Sequence, residues 1–316
     1  MSRTSVKAGK KARSLLSVSD LSAQDLAGML DRMKSLKPAI KRRDTLSDLR
    51  GIVVGMLFEK PSTRTRTSFE VATVRLGGFP VYLASEELQT SRGEPIKDTA
   101  RILGSYLDVI VGRVYSHETL TAMAAFSGVP VLNGLSDLEH PTQVISDLFT
   151  ISETKGRLKG MTLAFIGDGD NVCNSLLLGA SLVGMNVVAA CPSGYTPNPD
   201  VLRRAEENAK RSGSTVRVVD DPKEAAVDSD VLYTDVWVSM GEEKEASRRM
   251  RAFRGFQINS EMLKLASKDA VVMHCLPAHR GLEITDDVIE GKQSVVWRQA
   301  ENKLYGAAVA LDFVTG

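Results

Sequence analysis

The stretch GIVVGMLFEKPSTRTRTSFEVATVRL, residues 51–76, predicts a buried β-strand followed at once by an α-helix. Its first part is a short apolar run rich in β-branched residues, and its last part, from about Thr63 to Leu76, has helical spacing. Between them, PSTRTR places hydroxyl groups and arginines where the helix begins. Because the free amides of a first helical turn and the helix dipole attract anions, this turn predicts a site for a tetrahedral anion such as phosphate.

Two interpretations of this turn are open at this point. In the first, Ser62 caps the helix while Arg64 and Arg66 add guanidinium groups that grip the anion. In the second, the turn is only a capped helix with surface arginines. The P-loop pattern GxxxxGK[ST] is missing, so a nucleoside triphosphate is not the expected ligand.

The rest of the chain repeats the strand-helix order of this first unit. Strands separated by ten to fifteen helical residues indicate parallel sheets with helices on both faces. The sequence therefore predicts an α/β fold of two doubly wound domains, 1–150 and 151–316, with residues 1–14 as a flexible basic arm. Further strands are predicted at 79–84, 108–114, 129–134, 161–169, 185–192, 215–220, 230–237 and 270–277, and a long helix at 140–155.

Composition excludes several classes of function. The 316 residues carry a formal net charge of +1, so nothing in the overall charge favours nucleic acid or an acidic membrane surface. The three cysteines are odd in number and lack CxxC spacing, which argues against a disulfide framework and a structural zinc site. No apolar run is long enough for a membrane span, and the basic start lacks the apolar core of a secretory signal. We therefore expect a cytoplasmic protein.

Ligands of such sheets bind at the carboxyl ends of the strands, where this chain places polar side chains. In the first half these are Arg113, His140 and Gln143, and a histidine and an amide can both hydrogen-bond a carbonyl oxygen. Capping or core satisfaction is the ordinary role of a lone histidine in such a position. In the second half, Asp235 follows a strand and offers an acid to a cation, although it could instead cap a helix.

The second half does not fit a dinucleotide-binding domain. In MTLAFIGDGDNV the glycine pattern stops at Gly167 and Gly169, and Val172 stands where a third glycine is needed. Cys275 lies at another strand end, where a buried inert thiol is the usual interpretation. Alternation along a strand points His274 and Cys275 to opposite faces, so we expect them not to share a metal ion.

Five motifs, taken together, resemble those of the ornithine carbamoyltransferases in the same order and over nearly the whole chain. STRTR (62–66) and HPTQ (140–143) are similar to motifs of all carbamoyltransferases, whereas DVWVSMG (235–241) and HCLPAHRG (274–281) are similar to those of the ornithine enzyme, and GRVY (112–115) completes the set. The resemblance implies transfer of a carbamoyl group from carbamoyl phosphate to the side-chain amine of L-ornithine. It also implies no metal and no cofactor, and a C-terminal helix that packs back on the first domain.

The resemblance also implies roles for individual residues. It assigns catalysis to Arg64, Arg113, His140, Gln143, Asp235 and Cys275. Binding of carbamoyl phosphate is assigned to Ser62, Thr63, Arg64, Thr65, Gln89, Arg113, His140, Gln143, Cys275, Leu276 and Lys303. Binding of ornithine is assigned to Asn171, Asp235, Ser239 and Met240. Gln89 matches a glutamine that serves the neighbouring subunit's site, which implies a homotrimer or a multiple of trimers.

Lys303 is a departure from the family, which usually has arginine there. Lysine keeps the positive charge and loses the planar fork, and we expect activity to survive. Three other acceptor amines, aspartate, an acylated ornithine and putrescine, remain alternatives to ornithine. A non-catalytic binder of phosphorylated ligands or of nucleic acid is a further alternative from a different class.

Overall fold

Two parallel β-sheets form the framework of the protein in this computed structural model, which describes residues 13–84, 86, 88–239 and 243–316. The predicted arm therefore lies almost wholly outside the described residues. The strands are β1 Val53–Phe58, β2 Phe79–Ala84, β3 Val109–Arg113, β4 Val131–Leu135, β5 Thr162–Ile166, β6 Asn186–Ala190, β7 Val216–Val219, β8 Val231–Thr234 and β9 Val271–His274. Each predicted strand is present, and most are shorter by a few residues at their ends.

Helices connect the strands, as parallel pairing requires. They are α1 Ala23–Lys41, α2 Thr63–Arg75, α3 Ile96–Tyr106, α4 His117–Phe126, α5 Pro141–Lys155, α6 Asn171–Leu182, α7 Pro199–Ser212, α8 Pro222–Ala226, α9 Ala246–Ala252, α10 Ser260–Leu263, α11 Asp286–Ile289 and α12 Val296–Thr315. Short 3-10 turns lie at Val18–Asp20, Gln89–Arg92 and Glu243–Glu245. The predicted doubly wound α/β architecture is confirmed.

The strand order sets where ligands can bind. The first sheet has the order β2-β1-β3-β4 and the second the order β7-β6-β5-β8-β9, each among the described residues. In both sheets the chain first builds to one side of its opening strand and then crosses to the other. The crossing point lies between β1 and β3 in one sheet and between β5 and β8 in the other. Crevices form outside the carboxyl ends of the strands at such points.

The crevice of the first sheet is formed by the turn before α2 and by the end of β3. Ser62 caps α2, and its hydroxyl accepts a hydrogen bond from the Thr65 amide at 3.2 Å. Arg113 is the last residue of β3, which pairs with β1 through Phe58. The capped start of α2 and the end of β3 therefore face the same crevice.

The C-terminal helix α12 packs on α1, α2 and α5, as predicted. It lies against α5 at Gly306, where an added Cβ would lie 2.0 Å from the Ser146 hydroxyl oxygen and 3.3 Å from the Thr142 carbonyl oxygen. A Cβ at this position would fit only if the Ser146 side chain moved. The same seam brings Lys303 of α12 over the beginning of α5.

We predict that Gly306→Ala lowers the free energy of unfolding by about 1–3 kcal/mol, because the new methyl group overpacks the α5–α12 seam. Gly28→Ala is the matched control, since Gly28 also lies inside a helix and has open space around its Cα. That change should stabilise the protein by up to about 1 kcal/mol through helix propensity. Urea unfolding of both variants checks the prediction, which fails if they behave alike.

Candidate active site

A cleft of about 650 Å³ lies between the carboxyl ends of the two sheets. One wall comes from the first sheet and α2, and the other comes from the loops that follow β5, β8 and β9. The seam between them is closed by α5 and α12. Its lining residues include Lys60, Ser62, Thr63, Arg64, Thr65, Arg113, His140, Gln143, Asn171, Asp235, Ser239, Cys275, Leu276, His279 and Lys303. Thirteen of the fifteen site residues predicted from the sequence are in this list.

The first wall concentrates positive charge around the start of α2. Arg64 lines the cleft and makes no hydrogen bond or ion pair to any residue that the structure describes. Arg113 is buried, and its Nη1 lies 3.5 Å from the Thr65 hydroxyl oxygen, whereas its Nε has no partner within the described ranges. Burial, together with the charge of Arg64, lowers the pKa of Arg113 to about 10. Guanidinium donors left without acceptors in a buried position call for an anionic ligand.

Three buried side chains form the floor of the cleft. Lys303 Nζ lies 3.2 Å from His140 Nε2 and also donates to the Gln143 side-chain oxygen. Burial and the neighbouring Arg113 lower the pKa of Lys303 to about 8. Burial, Lys303 and Arg113 hold the pKa of His140 well below its usual range, so His140 is a neutral imidazole at neutral pH. Its Nδ1 is buried and has no partner among the described residues.

The second wall carries acceptors instead of cations. Asp235 follows β8, and its Oδ1 accepts from the Val236 amide at 2.7 Å. Burial raises the pKa of Asp235 and outweighs the opposite effects of nearby His274 and of the hydrogen bond with the Cys275 thiol. Asn171 begins α6 and donates to the Ser136 carbonyl at 2.6 Å, which ties this wall to the first sheet. Ser239 lies near the same helix start, 3.4 Å from Asp170 Oδ2.

The loop after β9 is held by the buried pair His274 and Glu283. His274 Nε2 lies 3.1 Å from Glu283 Oε1, and His274 Nδ1 accepts from the Leu276 amide at 2.9 Å. That second bond supports Leu276 at a φ of 61°, a backbone conformation that is costly for residues other than glycine. Burial and Asp235 raise the pKa of Cys275 well above its usual value, so its thiol is protonated.

One expectation about this loop is wrong. Ligand atoms of Asp235, His274 and Cys275 lie within 4.8 Å of one another, so His274 and Cys275 do not point apart. The reason is that β9 ends at His274, and the alternation of a strand does not extend to Cys275. Both ring nitrogens of His274 already have hydrogen-bond partners, which gives this residue a structural role.

Two predicted site residues are not among those that line the cleft. Gln89 is exposed in the 3-10 turn Gln89–Arg92 and does not line the cleft of its own chain. Met240 lies outside the described residues. Arg66, which we expected to join Arg64, instead pairs with Glu70 at 2.9 Å and stacks on Tyr82. Two positions apart on a helix, Arg64 and Arg66 point in different directions.

Sequence analysis missed some residues of the cleft and its support. Lys60 and His279 line the cleft, and neither was given a role. Asp147 lies behind Gln143, and its Oδ1 accepts from Gln143 Nε2 at 2.9 Å. The i,i+4 spacing of Gln143 and Asp147 on one helix was a signal that could have found this contact.

Comparison with known proteins identifies the architecture. The family model described as "Aspartate/ornithine carbamoyltransferase, carbamoyl-P binding domain" matches residues 13–153, and the one described as "Aspartate/ornithine carbamoyltransferase, Asp/Orn binding domain" matches residues 159–313. The chain belongs to the aspartate/ornithine carbamoyltransferase family. The two matches together cover most of the sequence and meet within and just after α5.

Individual members of the aspartate/ornithine carbamoyltransferase family are similar over nearly their whole length. The ornithine carbamoyltransferase of Archaeoglobus fulgidus is 51% identical over 297 residues, which cover 94% of this chain and 95% of that protein. The solved ornithine carbamoyltransferase of Pyrococcus furiosus superposes with a TM-score of 0.91 at 47% identity, covering 95% of this chain and 96% of the other. That of Gloeobacter violaceus gives a TM-score of 0.86 at 43% identity, covering 98% and 100%.

We predict that Arg64→Met weakens the binding of inorganic phosphate by about 10- to 100-fold, because a charge-assisted hydrogen bond contributes about 1.5–3 kcal/mol. Arg66→Met is the matched control, since it removes the same charge from the same helix but outside the cleft. Isothermal titration calorimetry with phosphate measures both affinities. Equal losses in the two variants would mean that only the general positive charge of the helix matters.

Proposed function

We propose that the protein is an ornithine carbamoyltransferase, which forms L-citrulline and phosphate from carbamoyl phosphate and L-ornithine. The observation that carries this proposal is that the two walls of one cleft carry opposite charges. Arg64 at the start of α2 and the incompletely bonded Arg113 at the end of β3 lie on one wall, and the buried carboxylate of Asp235 lies on the other. An anionic carbamoyl donor and a cationic amino acid complement these walls. Relatives that are 51% and 50% identical over 94% and 93% of this chain bear the same enzyme name.

Carbamoyl phosphate is placed on the first wall in this proposal. Its phosphate is bound by the capped first turn of α2, through Ser62, Thr63, Arg64 and Thr65. Arg113 bridges the phosphate and the carbonyl oxygen, while His140, Gln143 and Lys303 surround the carbamoyl group. Cys275 and the Leu276 carbonyl lie where the carbamoyl group meets the incoming amine. All of these residues line the cleft, which supports the assignment.

Ornithine is placed on the second wall. Asp235 would bind its α-ammonium group, with Asn171, Ser239 and Met240 around the amino-acid end. This arrangement favours ornithine over aspartate, because the extra carboxylate of aspartate would approach the acidic Asp235. It favours ornithine over putrescine, because putrescine has no amino-acid group for Asn171 and the loop at 235–241. An acylated ornithine would lose the positive charge that Asp235 attracts.

The chemistry then needs no covalent intermediate on the protein. The neutral side-chain amine of ornithine attacks the carbamoyl carbon and forms the new C–N bond. Arg113 and the neutral His140 stabilise the charge that develops on the carbonyl oxygen. The C–O bond to phosphate then breaks, and the proton lost by the amine goes to the departing phosphate. Holding both substrates side by side in one cleft supplies much of the acceleration.

We extend the proposal to the assembly and its setting. Gln89 is exposed and away from its own cleft, which supports the idea that it completes the site of a neighbouring subunit in a trimer or a multiple of trimers. A reducing, cytoplasmic setting is consistent with three free cysteines. Within the described residues, no helix has both the length and the apolar character to cross a membrane. One relative, from Pyrococcus furiosus, is titled anabolic, which supports citrulline synthesis for arginine as the direction.

We expect the purified protein to form citrulline from carbamoyl phosphate and L-ornithine, and no ureido product from aspartate, N-acetylornithine or putrescine. A colorimetric assay for ureido groups, run on the four amines side by side, measures this. Product from another amine alone would overturn the assignment of the second wall and leave the first intact. No product with any amine, while carbamoyl phosphate still binds, would overturn the proposed function.

We also expect kcat/KM for carbamoyl phosphate, at saturating ornithine, to fall above about pH 8. Lys303 is charged below its pKa of about 8 and loses the charge that attracts the carbamoyl oxygen as the pH rises through that value. In Lys303→Arg this decline should move above the measurable range, because arginine does not deprotonate there. The pH profiles of the two proteins decide the point. An unchanged decline in the variant, or activity that only the variant shows, would contradict it.

A further inference from the structure

A continuous chain of hydrogen bonds joins the floor of the cleft to Asp147, which lies beneath it. From the buried end, Gln143 Nε2 donates to Asp147 Oδ1 at 2.9 Å, and Gln143 Oε1 accepts from Lys303 Nζ. Lys303 Nζ also lies 3.2 Å from His140 Nε2. All four side chains are buried. The chain therefore links Asp147, which does not line the cleft, to three side chains that do.

The carboxylate of Asp147 is held by hydrogen bonds where α5, α12 and β8 pack together. Its Oδ1 also accepts from Gln299 Nε2 of α12 at 2.8 Å, and its Oδ2 accepts from the Tyr233 hydroxyl of β8 at 2.8 Å. Gln299 in turn accepts from the His274 amide at 2.9 Å, so the loop after β9 is connected as well. Asp147 thus has two partners besides Gln143, and they fix the carboxylate before any substrate binds.

The two ends of this chain fix the direction of every bond in it. A carboxylate only accepts hydrogen bonds and an ammonium only donates them. The amide of Gln143 must therefore turn its nitrogen to Asp147 and its oxygen to Lys303. The same reasoning makes His140 Nε2 an acceptor, so that the proton of the neutral imidazole is on Nδ1.

This direction determines what the cleft offers to a ligand. His140 presents an Nδ1–H with no partner among the described residues, and Gln143 presents the remaining lone pair of its oxygen. A carbamoyl group needs this combination, because its carbonyl oxygen accepts and its NH2 donates. A flipped Gln143 amide would place its nitrogen beside the ammonium of Lys303 and its oxygen beside the carboxylate of Asp147, and both contacts are repulsive.

We propose that Asp147 is a positioning residue, which through Gln143 and Lys303 orients the groups that recognise the carbamoyl NH2 and carbonyl oxygen. The inference rests on the proposed function, since it assumes that the ligand between His140 and Gln143 is a carbamoyl group. It adds a role for a residue outside the cleft. Phosphate recognition at the start of α2 does not depend on it.

The test compares Asp147→Leu with Asp147→Asn. Leucine has a similar branched shape and removes both acceptors, so the Gln143 amide is released. Asparagine can keep one oxygen toward Gln143 and Gln299. We expect Asp147→Leu to lower kcat/KM for carbamoyl phosphate by about 10- to 100-fold, chiefly by raising its KM, and Asp147→Asn to stay within about 3-fold of the natural protein.

A double-mutant cycle separates positioning from a general structural role. In a Gln143→Ala background, Asp147→Leu should cost no more than about 3-fold, because the amide that it orients is gone. The dissociation constant for inorganic phosphate should be unchanged in Asp147→Leu, which also shows that the variant is folded. The KM for ornithine should change little.

Several outcomes would overturn the inference. These are an equal loss from Asp147→Leu in both backgrounds, a loss in Asp147→Asn as large as that in Asp147→Leu, or a weakened phosphate affinity that accounts for the whole effect. Failure of the proposed function looks different, because the natural protein would then form no citrulline. If the natural protein forms citrulline but the effects of Asp147→Leu and Gln143→Ala are additive, the positioning role of Asp147 is rejected and the proposed function stands.

Discussion

The packing of α12 against α5 is the contact on which the rest of the site depends. At Gly306 the two helices leave no room for a Cβ beside the Ser146 hydroxyl, and this packing brings Lys303 and Gln299 to the side chains of α5. His140, Gln143 and Asp147 then face side chains that are more than 150 residues away in the chain. Without the seam, the start of α2 would still offer an anion site, but the floor of the cleft would not form. The C-terminal helix is thus as much a part of the site as the strand ends.

The charges of the cleft carry an energetic cost that only ligands remove. Burial lowers the pKa of both Arg113 and Lys303, and the charge of Arg64 lowers it further at Arg113, as the charge of Arg113 does at Lys303. On the opposite wall, burial raises the pKa of Asp235. Like charges held together in a poorly solvated place destabilise the empty protein, and an anion between them reverses the effect. Function and stability therefore conflict here, as they commonly do at active sites.

Much of the fold was readable in the sequence, because apolar runs of strand length alternate with helical spacing throughout. Most of the cleft was also readable, since carboxyl strand ends of parallel sheets meet at one edge and their polar residues must be neighbours. The sequence pattern did not show the direction in which each side chain points. Arg64 and Arg66 have the same chemistry, yet only the rotation of α2 decides that the first lines the cleft and the second stacks on Tyr82. The relative orientation of the His274 and Cys275 side chains depends on the residue at which β9 ends, and the sequence defines strand ends poorly.

The opposite charges of the two walls also imply an order in which the two ligands bind. A dianion at the start of α2 would neutralise Arg64 and Arg113 and so remove the strongest unfavourable term in the cleft. It would also favour the charged form of Lys303, because an anion nearby raises the pKa of an ammonium group. With Lys303 charged, the hydrogen bonds to Gln143 and His140 keep one direction, and the floor is set before an amine arrives. An amino acid entering first would meet a floor whose cations still repel its ammonium groups, so the electrostatics favour the carbamoyl donor as the first ligand.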